Sequence, residues 1–168
     1  MRSNVPLVYQ RLYRWSYGSE RVKKTLGIID LICVILTVTI FAFSLVFTGV
    51  REASVMTPIR LILSTGIPFV AVSIMRHALD MPRPCKVFEL DFLPDKKVGK
   101  SFPSRHVFSA FSIGTALCFT TPLLGIFTLV LGVLVSFCRV TLGNHFIRDV
   151  VAGALIGIGC SVIGMLIL

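Results

Sequence analysis

Residues 123–138 read LLGIFTLVLGVLVSFC, without a charged side chain among them. The run follows the turn signal Thr120, Thr121, Pro122 and approaches the roughly 20 apolar residues that a helix needs to cross a hydrocarbon core. One crossing reverses the chain once. The apolar runs on either side, residues 107–121 and 146–168, are therefore expected to be parallel, with their N-terminal ends on one membrane face. Each of those ends carries a histidine, His106 in one and His145 in the other. Steps of four from His106 reach Ala110, Gly114 and Cys118, and from His145 they reach Asp149, Gly153, Gly157 and Ser161. Small side chains along both faces let membrane helices approach closely, so the two imidazoles can meet.

Upstream, residues 27–50 and 58–75 complete a set of five candidate crossings. A chain that is 55% hydrophobic is too apolar for a soluble core of this length. Helices satisfy their own backbone groups in lipid, and the alternating ten-residue pattern of a membrane barrel is absent. The expected fold is all-α: a polytopic membrane helix bundle of about five transmembrane helices, in one domain covering residues 1–168. Residues 1–26 interleave Leu12, Tyr13, Trp15 and Tyr17 with Arg11, Arg14, Arg21 and Lys23. This mixture suits an amphipathic helix at the headgroup level, broken near Gly18. Pro68 predicts a kink in the second span.

The net charge of +9 comes from basic residues that flank apolar spans, which points to anionic lipid headgroups and away from nucleic acid. Asp30 sits near the start of the first span, where interfacial water makes it tolerable. Cys33, Cys85, Cys118, Cys138 and Cys160 lack the paired spacing of a disulfide framework or metal site and read as small packing residues. The first long apolar run begins too late for a cleavable signal peptide. Residues 76–105 form the long polar segment, with Arg76, Arg83, Lys86, Lys96, Lys97, Lys100 and Arg105 against Asp80, Glu89, Asp91 and Asp95. A loop of that length between short-connected helices is expected to carry function.

Residues 139–149 read RVTLGNHFIRD and bring together a fixed cation, an imidazole and a carboxylate. A helix beginning near Asn144 would make His145 and Asp149 neighbours on one face, so that the carboxylate fixes the ring and leaves its other nitrogen free to attack. Ser104 is typed as the N-cap of the helix that carries His106, where free N–H groups and the helix dipole favour an anion. Parity brings Arg76, Arg83, Arg105 and Arg139 to the same face.

Three stretches resemble the signatures of the type 2 phosphatidic acid phosphatase superfamily, which also includes vanadium haloperoxidases. They are Arg76, six residues, Arg83 and Pro84; Pro103, Ser104, Arg105 and His106; and Arg139, five residues, His145, three residues, Asp149. The resemblance implies hydrolysis of a phosphate ester or anhydride without metal or other cofactor, through a phosphohistidine on His145 oriented by Asp149. His106 would be the general acid for the leaving oxygen. Arg76, Arg83, Ser104, Arg105 and Arg139 would hold the phosphoryl oxygens, with Pro84 and Pro103 as structural members of the motifs. Two positions depart from the family pattern. Arg105 stands where glycine is common, keeping the backbone donor while adding a cation for a second phosphate or the headgroup, and Cys138 stands where serine often precedes the third motif.

The expected activity is that of a membrane lipid phosphatase acting on phosphatidic acid, phosphatidylglycerophosphate or a lipid A type phosphate, with the tail left in the bilayer. Alternatives are a prenyl (undecaprenyl-type) diphosphate phosphatase and a non-catalytic lipid-binding or transport protein. The expected location is a multi-pass position in the cell membrane. Bacterial precedent puts the site on the extracytoplasmic face, whereas the distribution of lysine and arginine favours the cytoplasmic one. Small-residue faces serve contacts within and between chains equally, so the oligomeric state stays open.

Overall fold

The structure is a computed structural model that describes residues 6–88 and 99–168. Seven helices follow one another among these residues: α1 (Leu7–Tyr17), α2 (Glu20–Arg51), α3 (Met56–Leu79), α4 (Pro84–Val87), α5 (Arg105–Cys118), α6 (Pro122–Thr141) and α7 (Ile147–Ile167). Local chemistry sets several boundaries. Asp80, with a left-handed backbone (φ 35°), closes α3, and Pro122 opens α6 at a position where its missing N–H costs nothing. Gly143, at φ 69°, turns the chain between α6 and α7. The helix of α3 runs through Pro68. Glu89, Asp91, Asp95, Lys96 and Lys97 lie outside the described residues.

Four stretches are long and apolar enough to cross a bilayer: Glu20–Arg51, Met56–Val87, Pro122–Thr141 and Ile147–Ile167. The fifth expected crossing, residues 107–121, is the shortest. At 14 residues, α5 measures about 21 Å at 1.5 Å per residue, short of a hydrocarbon core of roughly 30 Å. Val107, Phe108, Ala110 and residues 112–117 are buried against the neighbouring helices, and only residues 119–121 separate Cys118 from Pro122 at the start of α6, so α5 and that turn together carry the chain to the far end of α6. The chain is a multi-pass membrane protein in which four long apolar helices pack around one shorter helix.

The expected parallel pairing of α5 with α7 holds in register. The Ser104 N–H donates to the Asp149 carbonyl at 3.0 Å, and further along the Ser112 and Ser161 hydroxyls share a hydrogen bond of 2.7 Å. Between these points lie Gly153 and Gly157, where a Cβ would come within 2.7 Å of the Ser104 and Phe108 carbonyl oxygens respectively. Backbone can approach backbone only because those side chains are missing. The N-terminal ends of α5 and α7 therefore share one face, as the position of residues 123–138 required.

The N-terminal segment does more than lie at an interface. The chain bends at Gly18, as expected, and α1 docks on the connection between α6 and α7. The Ser16 hydroxyl donates to the Thr141 carbonyl at 2.9 Å and the Tyr17 hydroxyl to the Leu142 carbonyl at 3.0 Å. The Ile147 N–H donates to the Tyr9 hydroxyl at 3.0 Å. Helix ends leave such groups unpaired, so α1 supplies the partners that α6 and α7 lack.

Candidate active site

The end of α3 and the segment leading into α5 build one wall of the site. Arg76, in the last turn of α3 and 7% exposed, donates from Nη1 to the Pro103 carbonyl at 2.8 Å and to the Ser101 carbonyl at 3.4 Å. Arg83, just ahead of α4, donates from Nε to the Gly99 carbonyl and from Nη1 to the Asn144 carbonyl, both at 3.1 Å. Both guanidiniums are buried against neutral acceptors, which orient them without cancelling their charge.

Arg139 reaches the face from the end of α6, and its Nε donates to Asp30 Oδ1 of α2 at 2.9 Å, with both side chains largely buried. Asp30, read from sequence as merely tolerated, is therefore the partner of a motif arginine. The general rule that a carboxylate inside a span marks function was the available signal.

The expectation that His145 lies on the first helical turn is corrected, because α7 begins only at Ile147. His145 occupies the connection ahead of it, with its N–H donating to the Arg139 carbonyl at 3.2 Å. The pairing with Asp149 survives by another route. Asp149, in the first turn of α7, reaches back so that its Oδ2 accepts the Phe146 N–H at 3.0 Å. The same oxygen accepts the Ser101 hydroxyl and lies 3.7 Å from His145 Nδ1. That spacing is longer than a hydrogen bond, and it becomes an ion-pair contact only when the ring is protonated. Ser101, two residues before Pro103, fixes the carboxylate; no spacing rule had singled it out.

His145 is 1% exposed. It lies between the spanning helices, and burial pushes its pKa down to about 4; Asp149 opposes the shift, while Arg83 and Arg76 add to it. At neutral pH the imidazole is therefore uncharged, the state in which a ring nitrogen is able to attack. Ser104 stands at the N-cap of α5 but does not cap with its side chain; its buried Oγ has no protein partner. A hydroxyl held in this way is available to an oxyanion.

Arg105 and His106 open α5. Arg105 lies between two cavities and lines both. One, of about 640 Å³, is basic and is walled by Arg76, Arg83, Lys86 and Lys100 with His77 and Asp80. The other, of about 280 Å³, is mostly apolar; Val34, Val38, Phe69, Ala110, Ile113 and Val135 line it, and His106 is also part of its wall. Among the described residues no three His, Cys, Asp or Glu side chains are grouped to hold a metal ion.

A model of the PAP2 superfamily matches residues 57–168, which contain all three motifs. The chain belongs to the PAP2 superfamily. In fold it is similar to LpxE of Aquifex aeolicus, with a TM-score of 0.72 and 24% identity, covering 98% of each chain. It is also similar to the first transmembrane PAP2 type phosphatidylglycerolphosphate phosphatase from Bacillus subtilis, with a TM-score of 0.62 and 19% identity, covering 94% of this chain and 90% of that one. No curated protein sequence matches the chain. The superfamily match begins after α2, so Asp30 and the residues of α1 lie outside it.

Proposed function

We propose that the protein is a membrane lipid phosphatase that hydrolyses a phosphate monoester of a lipid headgroup through a phosphohistidine, with residues 1–168 acting as one unit. His145 Nε2 attacks phosphorus, the bond to the leaving oxygen breaks, and His106 gives that oxygen its proton. Asp149 stabilises the imidazolium ring from the Nδ1 side. Water then attacks the phosphohistidine, a histidine takes its proton, and inorganic phosphate leaves. Arg76, Arg83, Ser104 and Arg139, with the backbone N–H at Arg105, hold the phosphoryl oxygens, and their prepositioned charge and dipoles favour the transition state. The chemistry proceeds without a metal.

One observation carries the reading: Arg105 separates a basic cavity from an apolar one that extends between α2, α3, α5 and α6. A molecule with an anionic head and a hydrocarbon tail fits both at once. Phosphatidic acid, phosphatidylglycerophosphate and a lipid A type phosphate all have that form, and so does a prenyl diphosphate. Purified protein is expected to release phosphate from at least one of these lipids, with chelator present or absent. His145→Ala should lower the rate by roughly 10⁴-fold or more. Full turnover by that variant, or abolition by chelator, would overturn the mechanism. The proposed site faces the extracytoplasmic side, so an impermeant thiol reagent should label Cys85 in intact cells; labelling only after lysis would reverse the orientation.

A further inference from the structure

The basic cavity holds more positive charge than one phosphate can use. Its described lining carries Arg76, Arg83, Lys86, Lys100 and Arg105 against a single carboxylate, Asp80. A phosphate monoester brings about −1.5 to −2 at neutral pH. Arg76 and Arg83 alone answer that charge, and Arg139 stands by. Lys86 and Lys100 belong to none of the three motifs, and Arg105 replaces a residue that is commonly glycine.

Lys100 is held in place. Its backbone is left-handed at φ 60°, and its Nζ lies 2.6 Å from His77 Nε2 in α3. The ammonium can only donate, so that ring nitrogen accepts. On either side the chain is pinned as well. The Gly99 carbonyl accepts from Arg83, and the Ser101 N–H donates to the Met81 carbonyl at 2.8 Å. The volume of about 640 Å³ lies in the range of pockets that enclose whole small ligands, well beyond a single phosphoryl group.

We propose that Lys86, Lys100 and Arg105 form a second anion subsite beside the reacting phosphate, so that the preferred substrate is a lipid carrying two phosphoryl groups. The proposal rests on the phosphatase reading and names the substrate class for it. The second phosphate is either set apart on the headgroup, where the bond broken is that of a monoester, or bonded directly to the first, as in a prenyl diphosphate, where the bond broken is the anhydride and the second phosphate is the leaving group.

The test compares kcat/KM for both kinds of two-phosphate lipid with that for phosphatidic acid, in mixed micelles of fixed composition. In the full chain carrying Lys86→Gln and Lys100→Gln, the ratio of two-phosphate to one-phosphate kcat/KM should fall about tenfold, chiefly through KM. Whichever two-phosphate lipid loses its advantage identifies the arrangement. An equal loss on phosphatidic acid, the signature of general attraction to an anionic surface, would overturn the subsite, and so would an unchanged ratio. Thermal shift with inorganic pyrophosphate and with inorganic phosphate judges the subsite without turnover. Wild type should gain more from pyrophosphate, and the double variant should lose that excess; equal shifts by both ions in wild type would sink the proposal even if no lipid were hydrolysed. Phosphate release from no lipid, with the pyrophosphate effect intact, would instead remove only the phosphatase reading.

Discussion

Arg76 and Arg83 are held by backbone carbonyls of Pro103, Ser101, Gly99 and Asn144, whereas Arg139 is held by the carboxylate of Asp30, more than a hundred residues away in the chain. A carbonyl aims a guanidinium without neutralising it, and a carboxylate does both. In the proposed site the first wall would therefore offer a phosphate two nearly full charges, and the second a cation already shared. Arg83 and Arg76 also add to the lowering of the His145 pKa, whose first cause is burial.

If that contrast is sound, Arg83→Gln should cost most. It removes an uncompensated cation and leaves the Gly99 and Asn144 carbonyls without their donor, so kcat/KM for a lipid phosphate should fall about 10²- to 10³-fold. A loss no larger than that of Asp30→Asn would break the comparison.

The pH dependence of stability sharpens it further. The folded pKa of His145, about 4, lies below the ordinary 6.5, so the unfolded chain takes up the proton first as the medium is acidified. Stability from this group is complete above about pH 6.5 and is lost as pH falls towards 4, by roughly 3 kcal/mol in all. Thermal unfolding of the detergent-solubilised protein should show that decline in wild type and a smaller one in His145→Gln. Parallel curves for the two proteins would mean that the imidazole is not held neutral by its surroundings.

The smallest effect is expected for Asp30→Asn, which leaves Arg139 present but less firmly aimed. Activity should fall about tenfold or less. Exchanging the pair, as Asp30→Arg with Arg139→Asp, should recover thermal stability without recovering activity. Recovery of both would make Arg139 a tie between α2 and α6 and remove it from the phosphate site.

The motifs and the parallel course of α5 and α7 were legible because both depend on spacing along the chain: fixed intervals between cations and histidines, and one uncharged run that reverses direction. Asp30, Ser101 and Tyr9 were less legible, since each meets its partner through packing of distant segments. The location of His145 ahead of α7 was misread for a local reason. Phe146 and Ile147 are as compatible with a helix as with its approach, and the boundary is drawn by Asp149 reaching back to the Phe146 N–H. The shortness of α5 was hidden because the apolar run 107–121 continues past Cys118 into a turn at Phe119 and Thr120.

The docking of α1 gives the chain an unusual dependence on its own beginning. Its hydroxyls grip the last carbonyls of α6 and the first amide of α7, the two ends between which the imidazole of His145, the proposed nucleophile, is slung. Clipping that helix away would delete none of the proposed site residues, yet it would slacken both anchors of the loop at once, so the segment serves as a clasp on that connection.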